Sequence, residues 1–427
     1  MGKLEKYSSY KDSGVEWLGE IPEHWEIKKL KFIVKEHGGN GFPVTEQGKN
    51  GSIPFYKVSD MNGSDTFIEM SNNYVSESTV KKMKWNLIPV NSIVTAKIGE
   101  ALRKNHRKIT KISSIIDNNC IAFEPIRIDI KFNFYLHKII DFDWFSNAGA
   151  VPSISVPQYK NFKIALPPKK EQTKIASFLD EKTAQIDEVI SQKEKLIELL
   201  KERKQIVIND AVTKGLDKNI EFVDSGVEWI GNIPKHWKIS KVKNIFKLII
   251  EPAPKANEEE LLSIYTDIGV RPRKELAEKG NKASTTDGYW RVKKGDFIVN
   301  KLLAWMGAIG LSEYEGVTSP AYDILRAKKD IVGIYYHELF RLKVFSQEMK
   351  KHSRGIMDMR LRLYFDKFGD ILIPYPSYDE QLQIVEYIEN QTSKIDKAIE
   401  LQQNYISKLK EYKASLIDSV VTGKVRV

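Results

Sequence analysis

The chain states one segment twice. Asp12-Ser13-Gly14-Val15-Glu16-Trp17-Leu18-Gly19-Glu20-Ile21-Pro22-Glu23-His24-Trp25 returns 212 residues later as Asp224-Ser225-Gly226-Val227-Glu228-Trp229-Ile230-Gly231-Asn232-Ile233-Pro234-Lys235-His236-Trp237. A second pair follows at an offset of 209: Glu171-Gln172 with Ile175, Leu179, Ile186 and Asp187 reappears as Glu380-Gln381 with Ile384, Ile388, Ile395 and Asp396. Self-similarity on this scale constrains architecture more than any local propensity. Two modules stand in tandem, each opening on the Trp-rich segment and closing on the Glu-Gln segment, and the stretches between are far less alike. A shared frame around different inserts is how one scaffold carries two specificities.

Charge follows the same division. The net charge of +10 is unevenly placed: residues 25–167 carry +7 and residues 237–376 another +7, while the remaining segments together carry −4, with the Glu-Gln segments close to neutral. Neutralising phosphates releases condensed counterions, so concentrated positive charge is what backbone binding to nucleic acid needs. Its confinement to both inserts points there.

The Glu-Gln segments predict long helices. The 3-4 apolar spacing from Ile175 and Leu179 runs on through Lys182, Ile186, Val189, Lys193, Leu196, Leu200, Arg203 and Val207. Its repeat runs through Ile384, Ile388, Gln391, Ile395, Ala398, Gln402, Tyr405, Leu409, Tyr412 and Leu416. One heptad register is sustained in each, and some forty residues make a rod of roughly 60 Å. Gly215 and Gly423 fall where each helix should stop. Ser377-Tyr378-Asp379-Glu380 reads as a capping box, whereas Pro168 in the first copy requires another start. Two apolar stripes of equal length most simply bury each other, and either orientation is allowed by the length of the connection.

The inserts read as mixed α/β. Strands are expected over Ile53–Val58, Ser92–Ile98 and Cys120–Phe123 with a helix over Phe132–Ile140, then over Leu262–Tyr265, Asp296–Asn300 and Ala321–Leu325 with a helix from Tyr335 to Met349. The order is the same in both, which implies one fold carrying different surface residues.

Nothing here has the pattern of a catalytic centre. An adenine methyltransferase would need a cofactor-binding Gly-rich turn and an Asn/Asp-Pro-Pro-aromatic motif, and Leu166-Pro167-Pro168-Lys169 lacks both the polar head and the aromatic. No phosphate loop of the Gly-x-x-x-x-Gly-Lys-Ser/Thr type occurs, and no Cys/His cluster has metal-ligand spacing. His24 and His236, in the repeated Ile-Pro-x-His-Trp, read as structural, and Asp60 and Asp267 as structural or polar-contact residues. A single cysteine, Cys120, excludes an internal disulfide. The N-terminus has no signal-peptide core and no stretch is apolar over the ~20 residues of a membrane span, so a cytoplasmic location without membrane contact is expected.

In this setting the chain resembles the specificity subunit of a type I restriction-modification system. The resemblance rests on the insert opening near Trp25 and closing at Ile164-Ala165-Leu166-Pro167-Pro168-Lys169-Lys170-Glu171-Gln172, the long helix, and the second insert from Trp237 to Ile371-Leu372-Ile373-Pro374-Tyr375-Pro376 before Glu380-Gln381. It implies an α+β chain of two target recognition domains separated by two helices packed as an antiparallel coiled coil, with an internal pseudo-twofold. The boundaries expected are a conserved N-terminal segment 1–24, recognition domain 25–167, helical region 168–215, connecting segment 216–236, recognition domain 237–376 and helical region 377–427. Each domain would read one half of a bipartite, asymmetric site in double-stranded DNA. The implied partners are two modification subunits, which methylate adenine, and restriction subunits that act as ATP-dependent translocase and endonuclease. The chain itself would bind no cofactor, with S-adenosylmethionine, ATP and Mg used by the partners. The alternatives are a nuclease or methyltransferase with duplicated DNA-reading domains, and a coiled-coil scaffold, which would leave the charge unexplained.

Base edges are read by Arg, Lys, Asn and Gln, while phosphate contacts position the protein. In the first domain the candidates are Lys97, Arg103, Lys104, Asn105, Arg107 and Lys108, in a basic loop after a strand, with Lys57, Asn118 and Asn119 as weaker ones. In the second they are Arg271, Arg273 and Lys274, then Asn300 and Lys301 at the position of Thr95 to Lys97, and Arg354, Arg360 and Arg362. Alternation in Met359-Arg360-Leu361-Arg362-Leu363 places both arginines on one face if that run is extended. Trp305 reads as a core residue, with stacking or wedging as its alternative.

Overall fold

A computed structural model describes residues 5–48, 51–63, 66–145, 151–275, 286–355 and 360–427. The chain divides into two compact units, one of residues 1–193 with 404–427 and one of residues 194–403.

Two helices run through the division, Lys169–Lys214 and Tyr378–Val421. At 46 residues the first is about 69 Å long. Within the first unit Lys413 Nζ lies 2.5 Å from Asp187, and Lys193 sits over the Tyr405 ring at 4.6 Å. Partner numbers fall as the first helix advances, so the segments pair antiparallel. In the second unit Lys204 reaches Asp396 at 2.7 Å, and Ile208, Ala211 and Val212 share a core with Ile384, Val385 and Ile388. The direction is again antiparallel.

The seam departs from the strict heptad. Val189, Leu196, Tyr405 and Tyr412 are exposed, while Ile190, Ile197 and Ile406 are buried. A helix of 3.6 residues per turn drifts by about 20° per heptad against a 3.5-residue repeat, and over this length the buried stripe moves on by one residue.

The repeated motifs fasten each insert to its helix. The buried amide of Gln172 accepts the Asp129 N–H at 2.7 Å and donates to the Pro167 carbonyl at 2.8 Å. Gln381 does the same with Val332 and Pro376, at 2.8 and 3.0 Å. Asp129 and Val332 cap the insert helices Ile130–Ile139 and Gly333–Phe340, so one glutamine ties two helix starts together. The adjacent glutamate holds the Trp-rich segment: Glu171 bonds His24 at 2.8 Å and Glu380 bonds His236 at 2.6 Å. The structural reading of both histidines follows from these contacts. The Ser377–Glu380 capping box forms, with Ser377 Oγ accepting the Glu380 N–H at 3.3 Å and Glu380 accepting the Ser377 N–H at 3.2 Å. Each long helix then ends on a left-handed glycine pressed onto a repeated tryptophan. A Cβ on Gly215 would stand 3.1 Å from the Trp237 ring, and one on Gly423 would stand 3.0 Å from Trp25 and 2.5 Å from Pro22.

The largest sheet of each unit follows the same strand order. In the first it is Val34–Gly38, Cys120–Pro125, Ile93–Ala96, Lys108–Thr110 and Phe67–Ile68. In the second it is Phe246–Ile249, Tyr322–Ala327, Phe297–Asn300 and Ile309–Leu311. Four positions match, and all their pairings are antiparallel. The central strands, Ile93–Ala96 and Phe297–Asn300, are buried throughout. The helix expected from Tyr335 to Met349 is two, Gly333–Phe340 and Lys343–His352. The break falls at Arg341, whose guanidinium bonds the carbonyls of Gly307, Ile309, Thr266 and Asp267.

Candidate nucleic-acid interface

A lysine follows each central strand. Lys97 follows Ala96, and its carbonyl accepts the Ile154 N–H at 2.9 Å. Lys301 follows Asn300, and its carbonyl accepts the Leu363 N–H at 2.8 Å. A returning segment therefore crosses the same strand end in each unit, at positions 209 residues apart. The correspondence of Lys97 with Lys301 holds in backbone hydrogen bonding.

In the first unit the Lys97 N–H donates to the Asn119 carbonyl at 2.8 Å, and the Asp117 N–H donates to Tyr56 at 3.0 Å, next to Lys57. Lys57, the exposed Asn118–Asn119 turn and Lys97 thus line one end of adjoining strands. Lys57 is held by Gln47 at 2.8 Å and by the Phe42 ring at 5.1 Å.

The run after Lys97 is not a basic loop. It opens with the helical turn Glu100–Arg103 and closes in the strand Lys108–Thr110, and the cations divide sharply by burial. Arg107 is 1% exposed. Its guanidinium bonds Thr95, the His106 and Ile140 carbonyls and Asn105, and lies 3.8 Å over the Phe142 ring. Burial lowers its pKa to about 9. Lys108 is buried too, with Nζ on the Gly63 carbonyl at 3.0 Å. Asn105 takes a left-handed φ of 51° and spends its amide on Arg107 and Asp141. Arg107 and Lys108 are withdrawn into the fold and the half-buried Asn105 is held against it, because each found internal partners that sequence cannot display. Arg103 is exposed beside Glu100 and Asp143. Lys97 and Lys104 have no ion pair among the described residues, and Lys104 is exposed.

A neighbouring imidazole senses the local field. Burial, and then Lys104, Lys138, Lys108 and Arg107, lower the pKa of His106. Lys138 belongs to this cluster: its side chain reaches solvent, yet crowding by the surrounding fold first and Arg107 second lower its pKa. Sequence reasoning missed Lys138 because it sits on a helix far from the basic run.

In the second unit Arg354 and Arg362 exchange both backbone hydrogen bonds at 2.9 Å, and Leu363 then joins Lys301. Directly opposed residues of an antiparallel bridge face the same side, so two guanidinium groups share one face. Like charges so placed destabilise a bridge, and among the described residues Arg354 alone of the two has an acidic neighbour, Asp366 at 3.5 Å. Arg360 is exposed, and Met359 of the expected alternation lies outside the described residues. Lys301 donates to the Pro320 carbonyl at 2.9 Å and lies 3.3 Å from Asp323. Asn300 is buried and accepts the N–H groups of Leu302 and Leu303, at 3.0 and 3.3 Å. Arg271 is half-buried on the Val270 carbonyl, Lys274 is exposed and paired with Glu260, and Arg273 stands by Tyr322.

No group of three or more His, Cys, Asp or Glu that could hold a metal occurs among the described residues, and no described helix is long and apolar enough to cross a membrane. Residues 22–199 match the family model described as the type I restriction modification DNA specificity domain. Across 96% of both chains, the protein is 24% identical to the putative type I restriction enzyme MjaX specificity subunit of Methanocaldococcus jannaschii. Its fold is similar to a chain from a structure of complex assembly and conformational transition in the type I R-M system, with a TM-score of 0.68, 14% identity, and coverage of 94% of this chain and 98% of that one. It is also similar to the HsdS subunit from Thermoanaerobacter tengcongensis, with a TM-score of 0.57, 13% identity, and coverage of 95% and 98%. Along nearly its whole length the chain is thus similar to type I restriction enzyme specificity subunits, and residues 22–199 carry the match to their DNA specificity domain. The catalytic alternative finds no support.

Proposed function

We propose that residues 25–167 and 237–376 are two recognition domains, each reading one half of a split, asymmetric duplex DNA site. The observation that carries this reading is the shared strand end at Lys97 and Lys301, met by a returning segment in both units and surrounded by different side chains. Lys97, Arg103, Lys104 and Lys138 in the first domain, with Arg354, Arg360 and Arg362 in the second, supply the phosphate contacts. The exposed Asn118–Asn119 turn meets base edges, a reading supported by its exposure and its amide chemistry. Segments 1–24, 168–215, 216–236 and 377–427 form the frame, and the outer faces of the long helices take two modification subunits. Restriction subunits join that assembly in the cytoplasm, and S-adenosylmethionine, ATP and Mg serve the partners.

The test is methylome sequencing of a host carrying the complete system, before and after residues 25–167 are exchanged for those of another family member. One half of the methylated motif should change while the other half and the spacer persist. A change in both halves would overturn the modular reading.

A further inference from the structure

The turn after the second unit's central strand spends its polar groups on its own rigidity and leaves its apolar side chains in solvent. Asn300 accepts the Leu302 and Leu303 N–H groups through its buried side chain. The Leu302 carbonyl takes the indole N–H of Trp305 at 3.0 Å, the Leu303 carbonyl takes the N–H groups of Met306 and Ala308, and Arg341 bonds the Gly307 carbonyl. Ala304 is buried, yet Leu302 is 38%, Leu303 41% and Met306 54% exposed. Single exposed leucines need no explanation, but three large apolar side chains on one over-determined turn do.

Their surroundings indicate an anionic occupant. Lys301 begins the turn, and its carbonyl is bonded to the segment bearing the opposed Arg354 and Arg362. The corresponding turn of the first unit differs: after Lys97 it buries Leu102 and presents Glu100, Arg103 and Lys104.

We propose that Leu302 and Leu303, backed by Met306, form a wedge that enters a base step of the half-site read by the second unit, while Arg354 and Arg362 hold the flanking phosphates. This rests on the DNA-reading function proposed above and adds how one half is read. Apolar side chains driven between base pairs unstack them and kink the duplex by about 20–90°. Pyrimidine–purine steps deform most easily, so the half-site should contain one at the wedge. Arg–phosphate contacts on both sides would offset the unstacking. The two halves of one site would then be read differently, the first by polar contacts and the second partly through deformability.

The experiment uses the full chain in its methyltransferase complex, with duplexes carrying the motif found by methylome sequencing. 2-Aminopurine is placed in turn at each position of the second half-site other than the methylated base. One step should show a several-fold fluorescence rise on binding. Leu302→Ala with Leu303→Ala should abolish that rise and weaken binding about tenfold, with an unchanged melting temperature. Arg362→Ala should weaken binding but keep the rise. A rise that survives the double alanine change, or no unstacked step in a bound parent complex, would overturn the wedge while leaving DNA reading intact. Loss of methyltransferase co-purification in the double variant, with unstacking unchanged, would make the turn a protein contact. No binding by the parent complex would overturn both readings.

Discussion

Lys204 Nζ stands 2.7 Å from Asp396, and a shift of 209 residues turns this pair into Lys413 and Asp187, which meet at 2.5 Å. Each ion pair is the repeat of the other with the helices exchanged, an arrangement that antiparallel pairing makes available to a tandem duplication. A parallel pair would instead bring each residue near its own repeat. Exposed ion pairs contribute about 0–1 kcal/mol, so their part is to favour one register over its neighbours.

The register can be moved as a ruler. Four residues inserted into both helices, between Asp187 and Lys204 and between Asp396 and Lys413, keep both ion pairs and lengthen each rod by roughly 6 Å. That is close to two base-pair steps of about 3.4 Å. The methylated motif should gain about two base pairs of spacer with its half-sites unchanged. An unchanged spacer in an active complex would show that another element sets the distance.

Removing a glutamine staple should cost stability. Gln172→Ala leaves the part-buried Asp129 N–H without its acceptor, and Gln381→Ala does the same to Val332. Each should lose about 1–3 kcal/mol, seen as a lower denaturation midpoint. Neither should alter the recognised sequence.

Arg107 and Lys104 should behave oppositely despite their proximity in sequence. Arg107→Ala breaks a buried network and should destabilise the protein by about 2–4 kcal/mol. Lys104→Ala should leave the melting temperature unchanged and lower the slope of log affinity against log salt by about one. Titration of DNA binding across salt concentrations separates the two.

Stability should fall with acid below about pH 6.5. Burial lowers His137 to about 3, where Nδ1 donates to the Asn133 carbonyl and Nε2 accepts from Tyr159. His337 falls to about 4 through burial first and Arg341 second. Both are depressed, so between the folded and unfolded values the unfolded chain binds more protons. Stability is therefore complete above the unfolded pKa and is lost as pH drops. By pH 5 His137 alone should cost about 2 kcal/mol. Thermal melts of His137→Gln should show a flatter pH dependence than the parent.

The duplicated frame, the two long helices, their glycine stops, the capping box at Ser377 and the mixed inserts were all legible in the residues. Each is written in local periodicity or repetition, which need no knowledge of the partner. Legibility ended where burial decides. Arg107 and Lys104 lie in one basic run, and only the approach of Thr95, Ile140 and Phe142 from distant segments removes one and leaves the other at the surface. The joining of Lys301 to Arg362 through Leu363, across sixty residues, has no sequence signature, nor does the one-residue drift that buries Ile190 in place of Val189. The sequence by itself determined what elements form and that they form twice. Tertiary structure decided which charges remain available, because desolvation and hydrogen-bond satisfaction depend on what packs alongside, and that is set by contacts far apart in the chain.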